Sequence, residues 1–365
     1  MKKIKIAYLV STLNKSGPIN ILYGIIKNLD LKKFEITIIT LSSSDNSSMA
    51  EVFIKFNCNI VSLDLKRIKD IFKYKKEITK ILVEKEIKIL HSHCFRADYY
   101  SSSLKIKGLK KISTIHNYPF EDYVLHYGNI LGKIMSYSSI NFLKKIDYRI
   151  VCSKSLKERW EKFLKVHSIE NGVDISRYMP VTYDEKNGLR RKFKIPAENK
   201  IFIVSGVLTK RKNPLLIIEA FQKIKLKNSI LIFLGEGELY QECSNKVSDE
   251  DKIIFMGNVK DVSEYLKMSD YYISASFSEG LPNSVLEAMA TGLPCLLSNI
   301  SSHKEIGIGE KYLFNPRCSE ELEEKIKTLL TEDYKKLSIL NRKIVEKKFS
   351  DKLMSERYSN YYISE

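Results

Sequence analysis

Residues 278–294 are SEGLPNSVLEAMATGLP, and this stretch does most to determine the predicted fold. It follows a short apolar segment at 271–274 that is typical of a buried strand, and a helix is expected to begin at Pro282. Proline suits the first turn of a helix, where N–H groups have no intrahelical acceptor. The N–H groups of that turn, notably those of Asn283 and Ser284, predict a binding site for a diphosphate.

Two carboxylates flank this predicted site. Glu279 lies in the loop before the helix, and Glu287 lies more than one turn inside it. Carboxylates on opposite sides of a phosphate site suit two sets of hydroxyl groups, one on a sugar and one on a ribose. The structural alternative is that Glu279 is a favourable charge at a helix N-terminus and Glu287 a solvated helix residue.

Strand-like and helix-like segments alternate along the whole chain, which is typical of parallel sheets covered by helices. The predicted fold class is therefore α/β, with two Rossmann-like doubly wound halves and a ligand cleft at the carboxyl ends of their strands. The predicted strands are 4–10, 34–41, 60–63, 87–91, 112–116, 148–153, 201–207, 230–234, 253–256, 271–274 and 295–298. The predicted domains are 1–170 and 200–345, with a linker at 171–199 that is rich in turn residues and a final helix at 346–365.

Composition is that of a water-soluble globular protein, with 365 residues, 44% hydrophobic and 29% charged. No apolar run approaches the ~18 residues of a spanning helix, and the N-terminus has no signal-peptide pattern, so a cytoplasmic location is expected. Six scattered cysteines without metal-like spacing indicate reduced thiols. The pair His91 and His93 has no accompanying ligand cluster apart from Cys94, so no metal site is expected.

The net charge of +17 is concentrated in one half of the chain. Residues 1–200 contain 38 Lys and Arg against 20 Asp and Glu, whereas residues 201–365 contain 23 against 24. A basic half suggests an anionic surface or substrate, such as phospholipid or a polyprenyl diphosphate, and less readily a nucleic acid. Codon bias toward lysine is the alternative. A predicted basic helix from Leu65 to Glu86 is either an ordinary surface helix or a membrane-contact helix.

The spacing Glu279-x7-Glu287, followed by Ala-Met-Ala-x-Gly-x-Pro, resembles the signature of the retaining, nucleotide-sugar-dependent glycosyltransferases of the GT-B fold. The similarity is to glycosyltransferase family 4, a large bacterial group that includes enzymes of surface polysaccharides. It extends over nearly the whole chain. The other matching segments are 90–93 (LHSH), 114–116 (TIH), 151–153 (VCS), 169–174 (IENGVD), 206–213 (GVLTKRKN), 235–237 (GEG) and 257–259 (GNV).

The resemblance implies three catalytic residues. Glu279 would bind a hydroxyl of the donor sugar, Lys212 would neutralise the leaving diphosphate, and His116 would reach the donor sugar from the N-terminal domain. For His116 the structural alternative is a strand-end histidine bonded to backbone. Because Lys212 and helix amides would stabilise the leaving group, no metal ion or other cofactor is expected. The retention implied by the resemblance, without an enzyme carboxylate on the far face of the sugar, implies front-side attack.

The resemblance also implies how the donor and the acceptor bind. Glu287 would hold the ribose, and the backbone around Asn258 and Val259 would receive the base. The remaining donor contacts would be Gly17, Gly206, Arg211, Gly280, Leu281, Asn283 and Ser284. On the acceptor side the candidates are Arg96, Tyr118 and the aromatic-rich stretch from Tyr123 to Tyr148, each of which is more often structural. The last helix would pack back on the N-terminal domain.

Two positions depart from the family pattern. Val207 stands where the family has an arginine, so one expected diphosphate cation is missing. Ser16-Gly17-Pro18-Ile19-Asn20 stands where many members have Gly-Gly, and this version is similar to a subgroup associated with capsule or lipopolysaccharide assembly.

The expected function is transfer of a sugar from a UDP- or GDP-sugar to a glycan acceptor that is linked to a lipid. The reaction would belong to capsule, O-antigen or exopolysaccharide synthesis. The expected partners are the nucleotide sugar, the polyprenyl-diphosphate-linked acceptor and an anionic membrane surface on the cytoplasmic side, with no nucleic acid. The alternatives are a nucleotide-sugar epimerase of the same fold and a non-catalytic relative that binds carbohydrate or membrane.

Overall fold

The computed structural model describes residues 3–64 and 71–364. The chain divides into two compact units. The N-terminal unit comprises Met1–Gly172 together with Asp351–Glu365, and the C-terminal unit comprises Val173–Ser350. Each is an α/β unit with a parallel sheet, as the sequence predicts.

The N-terminal unit has seven strands among its described residues, in the order β3-β2-β1-β4-β5-β6-β7, all parallel. The strands are β1 (Ile4–Val10), β2 (Phe34–Thr40), β3 (Asn59–Ser62), β4 (Ile89–His93), β5 (Lys110–Ile115), β6 (Tyr148–Val151) and β7 (His167–Ser168). The helices are α1 (Gly17–Lys27), α2 (Ala50–Ile54), α3 (Ile71–Glu84), α4 (Phe95–Ser103), α5 (Pro119–Tyr127), α6 (Asn129–Leu143) and α7 (Lys154–Trp160).

The C-terminal unit has six parallel strands in its described part, in the order β10-β9-β8-β11-β12-β13. The strands are β8 (Lys200–Ser205), β9 (Ser229–Leu234), β10 (Ile253–Phe255), β11 (Tyr271–Ser274), β12 (Cys295–Ser298) and β13 (Leu313–Phe314). The helices are α8 (Tyr183–Lys192), α9 (Pro214–Ile224), α10 (Tyr240–Asn245), α11 (Val262–Met268), α12 (Asn283–Ala290), α13 (Ser301–Lys304), α14 (Ser319–Thr331) and α15 (Tyr334–Lys348), and short 3-10 turns lie at Asp249–Asp251 and Glu310–Tyr312.

Strand order reverses between β1 and β4 in one unit and between β8 and β11 in the other. In open parallel sheets, ligands bind outside the carboxyl ends of the strands at this switch point. The central strands are buried on both faces, which explains their continuous apolar runs such as SILIFL in β9.

The last helix, α16 (Asp351–Ile363), belongs to the N-terminal unit and packs on α1, as the resemblance implied. Met354 and Tyr358 are buried in the core of that unit. The Ser355 hydroxyl donates to the Ile25 carbonyl at 2.7 Å. This helix begins at Asp351, five residues later than the predicted start at 346, because α15 extends to Lys348 and a short break follows it.

Residues 171–199, which the sequence predicts as the linker between the domains, contain the helix α8 (Tyr183–Lys192), which packs on α11. A capping box at Thr182 and Glu185 starts α8. The guanidinium of the buried Arg190 donates to Asp270 at 2.6 Å, and Asp270 is the residue before β11. This stretch is therefore part of the C-terminal unit.

The predicted helix from Leu65 to Glu86 is described from Ile71 to Glu84, and residues 65–70, with the predicted basic side chains at 66, 67 and 69, lie outside the described residues. No helix in the described part of the chain has the length and apolarity needed to cross a membrane.

Candidate active site

Three glycine-containing loops meet at the carboxyl ends of β8, β9 and β10. A Cβ atom on Gly235 would lie 2.2 Å from the Gly206 carbonyl oxygen, and one on Gly237 would lie 2.4 Å from that of Leu208. Gly206 and Gly235 also have positive φ angles of 141° and 122°, a region that favours glycine. The loops therefore pack backbone against backbone, with no space for a side chain at Gly235 or Gly237.

Glu279 lies at the centre of a charged cluster beside this loop junction. Its side chain is 7% exposed and accepts contacts from Lys212 Nζ at 2.6 Å and from Arg211 Nη1 at 2.8 Å. The Ser276 hydroxyl donates to the same carboxylate at 2.7 Å. Arg211 also donates to the Ser278 carbonyl at 2.8 Å, which ties the loop after β8 to the loop after β11 across the switch point.

The charge of Glu279 is fixed by its surroundings. Burial alone would raise the pKa of this carboxyl, but the charges of Lys212 and Arg211 and the hydrogen bond from Ser276 hold its pKa well below the usual range. Glu279 is therefore an anion at every physiological pH. It is a weak base because its two cationic neighbours stabilise the ionised form.

Sequence reasoning missed the support behind Glu279. The Ser298 hydroxyl, at the end of β12, donates to the Ser276 carbonyl at 2.6 Å, and His303 Nδ1 donates to the Ser298 carbonyl at 2.9 Å. Burial lowers the pKa of His303 to about 4, and the Glu279 charge opposes this only in part. His303 is thus neutral, and it lies close enough to Glu279 to interact electrostatically with it.

The helix within the quoted stretch is α12, and Pro282 is its N-cap residue. Asn283 and Ser284 are its first two residues, so their N–H groups lie where a helix start offers donors to an anion. Gly280 and Leu281, in the turn before the helix, are buried. The Leu281 side chain therefore packs inside the unit.

Glu287 lies one turn further along α12 and is half-buried. It accepts a hydrogen bond from Tyr178, and burial together with the Glu287 charge raises the pKa of that tyrosine well above its usual range. Arg177, the neighbour of Tyr178, pairs with Asp261 at 2.9 Å in the turn after Val259. The sequence analysis missed these contacts, although Arg177 and Tyr178 lie only three and four residues after the Asn-Gly-Val-Asp motif that ends at Asp174.

The predicted base-binding residues lie in the loop after β10. Asn258 donates to the Glu236 carboxylate at 3.0 Å, and Gly235 N–H donates to the Gly257 carbonyl at 2.7 Å. Asn258 is exposed and Val259 is half-buried. The C-terminal unit therefore brings together Gly206, Arg211, Lys212, Glu279 and the start of α12, with Asn258, Val259 and Glu287 on neighbouring loops and turns of the same unit.

Val207, at the position of the family arginine, is 57% exposed and contributes no charge. Arg211 supplies a guanidinium in the same loop, where it is held by Glu279. In that loop, the Thr209 hydroxyl oxygen is buried with no hydrogen-bond partner among the described residues.

The remaining predicted site residues belong to the N-terminal unit. His116 follows β5, and its Nε2 lies 3.1 Å from Nδ1 of His93. Burial lowers the pKa of His116 to about 4 and that of His93 well below its usual range, so both rings are neutral. The structural alternative predicts a hydrogen bond from His116 to backbone. The observed contact of the His116 ring is instead with a second histidine, His93.

The neighbouring His91 contacts hydroxyl groups of α16 and of β5. His91 Nδ1 lies 2.8 Å from the Tyr362 hydroxyl, and His91 Nε2 lies 2.8 Å from the Thr114 hydroxyl. Tyr358 contacts the same threonine at 2.8 Å. No group of three or more His, Cys, Asp or Glu side chains in residues 3–64 and 71–364 could hold a metal ion.

Gly17 begins α1 and is exposed, and a Cβ atom there would meet nothing within 4 Å. Arg96 Nη2 donates to the Ser42 hydroxyl at 3.2 Å. Tyr118 is covered by the Arg159 guanidinium at 3.7 Å from its ring centre. Both acceptor-side candidates are therefore engaged with the unit itself.

Two family models match the chain, one to each half. The model described as Glycosyltransferase Family 4 matches residues 17–177, and the model described as Glycosyl transferases group 1 matches residues 185–348.

Named relatives and a solved structure match over most of their lengths. An Escherichia coli UDP-Gal:alpha-D-GlcNAc-diphosphoundecaprenol alpha-1,3-galactosyltransferase is 27% identical, over 82% of this chain and 81% of its own. The Escherichia coli O-antigen biosynthesis glycosyltransferase WclY is also 27% identical, over 98% of both chains. The crystal structure of Anabaena HepE in complex with UDP-glucose superposes with a TM-score of 0.83 at 15% identity, over 98% of this chain and 99% of HepE.

Proposed function

This chain belongs to the glycosyltransferases of the GT-B fold, with a family 4 and a group 1 domain, and from that premise we propose that it is a retaining, metal-independent enzyme of surface-polysaccharide synthesis. Its donor is a UDP- or GDP-sugar. Its acceptor is a glycan built on a polyprenyl diphosphate. No resident cofactor takes part.

The contact of Glu279 with Lys212 and Arg211 carries this proposal. Two cations beside a backbone-lined loop junction and the start of α12 offer the charge and the N–H donors that a diphosphate needs. The anionic Glu279 holds both cations in place before the donor arrives. Preorganised charges of this kind stabilise the negative charge that develops on a leaving diphosphate.

The low basicity of Glu279 supports front-side attack. A carboxylate whose pKa is held well below its usual range is a poor acceptor for the proton of an attacking hydroxyl and a poor nucleophile. The departing phosphate oxygen then takes the acceptor's proton, while the new glycosidic bond forms on the face from which the phosphate leaves. Lys212 and Arg211 supply the charge that a metal ion supplies in other enzymes.

A uridine nucleotide is the first donor to test. The HepE structure with a TM-score of 0.83 contains UDP-glucose, and the 27% identical galactosyltransferase is named for UDP-Gal. The same name contains a diphosphoundecaprenol-linked acceptor, which supports a lipid-linked acceptor for this chain.

The exposed side of the α5–α6 hairpin supports attachment to a membrane surface. Ile130, Ile134 and Tyr137 follow helical spacing on α6 and are 81%, 57% and 58% exposed. Residues 123–146 contain three lysines and no acidic residue. An apolar helical face with nearby lysines suits the interface of a membrane that contains anionic lipid. We propose that this membrane surface is the cytoplasmic one.

The decisive experiment combines binding and turnover. We expect UDP or GDP to raise the melting temperature of the protein, and the matching nucleotide sugar to be hydrolysed slowly or transferred to a lipid-linked acceptor with excess chelator present. Lys212→Met should lower the affinity for the nucleoside diphosphate about tenfold or more, since charged hydrogen bonds contribute ~1.5–3 kcal/mol. Lys227→Met is the matched control, because Lys227 is exposed at the amino end of β9, away from the loop junction.

Two results would contradict the proposal. Conversion of one nucleotide sugar into another would identify an epimerase. Absence of nucleotide binding together with binding to glycan or vesicles would identify a non-catalytic relative. A complete loss of activity with chelator that a divalent metal restores would contradict the metal-independent step alone.

A further inference from the structure

We propose that His93 is a positioning residue for His116. It fixes the proton of the His116 ring on Nδ1, so that this ring presents an N–H donor to an oxygen atom of the donor sugar. The inference rests on the proposed function, because it takes His116 as a contact of that sugar. The Nδ1 atom of His93 lies 3.1 Å from the Nε2 atom of His116, and the two rings stack with their centres 5.3 Å apart.

The two histidines lie at the end of the sheet where a ligand is expected. His93 is the last residue of β4 and His116 is the first residue after β5, and β4 forms the switch point with β1. Ligands of open parallel sheets bind outside the carboxyl ends of the strands at such a point. His93 is only 1% exposed, whereas His116 is half-buried. His116 can therefore contact a ligand, and His93 can act on a ligand only through His116.

The side of the His93 ring that faces the core is held by a second histidine. The ring centre of His91 lies 4.5 Å from that of His93. Both nitrogens of His91 are engaged, one with the Tyr362 hydroxyl and the other with the Thr114 hydroxyl, each at 2.8 Å. A ring that packs against such a fixed neighbour keeps its Nδ1 atom directed at His116.

The turn that directly follows His93 is strained. Cys94 has φ 73° and ψ 164°, a conformation that is almost confined to glycine. Residues in such conformations persist where the surrounding structure holds them, and they are concentrated at functional sites. The strain next to the histidine that contacts His116 indicates that the placement of His93 is maintained at a cost in stability.

The hydrogen bonds decide which ring atoms carry the protons. Burial lowers the pKa of His116 to about 4 and that of His93 well below its usual range, so each ring is neutral and carries one proton. Nε2 of His93 is buried with no hydrogen-bond partner among the described residues. In native structures a buried N–H without an acceptor is rarer than an acceptor without a donor, so this atom is the bare nitrogen. Nδ1 of His93 therefore donates to Nε2 of His116, and the proton of His116 is on its Nδ1.

This tautomer defines what His116 can do. Its Nε2 already accepts a hydrogen bond, and its Nδ1–H points away from His93 as a donor. The ring binds a sugar oxygen in this way, but it cannot accept the proton of a hydroxyl without first breaking its contact with His93. His93 thus assigns His116 to sugar binding instead of proton transfer, which agrees with a departing phosphate that takes the acceptor's proton.

Substitutions at His93 test this role through a split between the transferred sugar and the nucleotide. His93→Phe keeps a ring and removes the donor, so we expect kcat/KM for the nucleotide sugar to fall about tenfold. The affinity for the nucleoside diphosphate, which lacks the transferred sugar, should not change. His93→Asn should restore most of the activity, because its amide N–H lies close to the place of Nδ1–H. His167→Phe is the matched control, since this half-buried histidine of β7 lies against Tyr148 and Tyr361.

A double variant separates positioning from a merely structural role. If His93 acts through His116, His93→Phe should cost little further activity once His116→Ala is present, although each substitution lowers the rate alone.

The tautomer can be read directly from the wild type. In a ¹⁵N spectrum of protein labelled at its six histidines, protonated and bare ring nitrogens have distinct chemical shifts. The signals that disappear in His116→Ala identify His116, and we expect its Nδ1 to be protonated at neutral pH. This measurement tests the proposal even if His93→Phe fails to fold.

The outcomes separate this inference from the proposed function. A proton on Nε2 of His116, additive losses in the double variant, or a His93→Asn variant as impaired as His93→Phe would overturn the inference. Full activity of His116→Ala would also overturn it, while the glycosyltransferase function stands. If the wild type neither binds nor consumes any nucleotide sugar, the proposed function fails first, and the inference fails with it because His116 then has no donor sugar to contact.

Discussion

Replacing Glu279 by glutamine should destabilise the free enzyme, tighten or preserve its binding of nucleoside diphosphate, and abolish transfer. Glutamine keeps the size of the side chain and removes its charge. The carboxylate is 7% exposed and contacts Lys212 at 2.6 Å and Arg211 at 2.8 Å. The substitution therefore leaves two partly buried cations facing each other without a counter-charge.

The magnitude follows from these contacts. Glutamine has one acceptor oxygen, so one of the two contacts, Arg211 to Oε2 or Lys212 to Oε1, is lost. A hydrogen bond to a charged group contributes ~1.5–3 kcal/mol, so we expect a loss of about 2–3 kcal/mol. The larger loss of ~3–5 kcal/mol for breaking a fully buried pair is not expected. Both cationic side chains are 18–20% exposed, so water compensates in part. For a unit of this size, each 1 kcal/mol lowers the melting temperature by ~2–4 °C.

Bound nucleoside diphosphate should reverse this loss, because its negative charge replaces that of Glu279 beside Lys212 and Arg211. We therefore expect a larger nucleotide-induced rise in melting temperature in Glu279→Gln than in the wild type. Transfer should fall at least ~100-fold, since a loss of ~2.7 kcal/mol in the transition state has that effect. Thermal unfolding with and without nucleotide and steady-state transfer rates measure all three quantities.

Glu219→Gln is the control within the same unit. Glu219 pairs with Lys223 at 2.8 Å, but its side chain is 55% exposed, and exposed pairs contribute ~0–1 kcal/mol. A Glu279→Gln variant with the melting temperature, nucleotide affinity and rate of this control would refute the role assigned to Glu279.

Three further predictions concern other parts of the molecule. Glu287→Gln should weaken nucleotide binding about tenfold in calorimetry and leave the rate at saturating donor largely intact, because Glu287 is proposed to hold the ribose; an unchanged affinity would exclude it from the site. Burial raises the pKa of Asp98 to about 7, against the opposing hydrogen bond from Ser92. Its contribution to stability is therefore present below its ordinary pKa of 3.8 and is lost as the pH rises through 7, so Asp98→Asn should gain stability relative to the wild type between pH 5 and 8. Parallel curves of unfolding free energy against pH, measured in denaturant titrations, would contradict this. Ile130→Ser with Ile134→Ser should reduce sedimentation with vesicles that contain anionic lipid without changing nucleotide affinity, whereas the exposed pair Ile339→Ser with Leu340→Ser on α15 should not; equal losses in the two variants would argue against a specific face.

The fold could be predicted from the sequence because each of its signals is local. The apolar runs of the central strands and the turn before α12 each occupy a few consecutive residues, and parallel βαβ units admit few topologies. The helix α8 within the predicted linker could not be predicted because residues 171–199 contain few apolar side chains. α8 is held there instead by a capping box at Thr182 and by the buried Arg190, whose partner Asp270 is distant in sequence.

The candidate site could be predicted only where its residues lie in one motif. Lys212 and Glu279 are both in recognised stretches, but their contact of 2.6 Å depends on the adjacency of β8 and β11, and this pairing follows from topology. Tyr178, Ser276 and His303 have no motif of their own, and each acts by orienting or supporting a carboxylate from another element. Arg96 and Tyr118 were chosen for residue type, and the structure engages both with neighbouring side chains.

The two carboxylates of the quoted stretch have different hydrogen-bond partners. Glu279 is stabilised as an anion by two cations, whereas Glu287 contacts the Tyr178 hydroxyl, a neutral donor. A diphosphate that approaches the first carboxylate competes for its cations, but ribose hydroxyls that approach the second compete with the hydrogen bond from Tyr178. Donor binding should therefore redistribute charge at Glu279 and leave Glu287 almost unchanged. For this reason substitution of Glu279 should affect the rate, and substitution of Glu287 should affect the affinity.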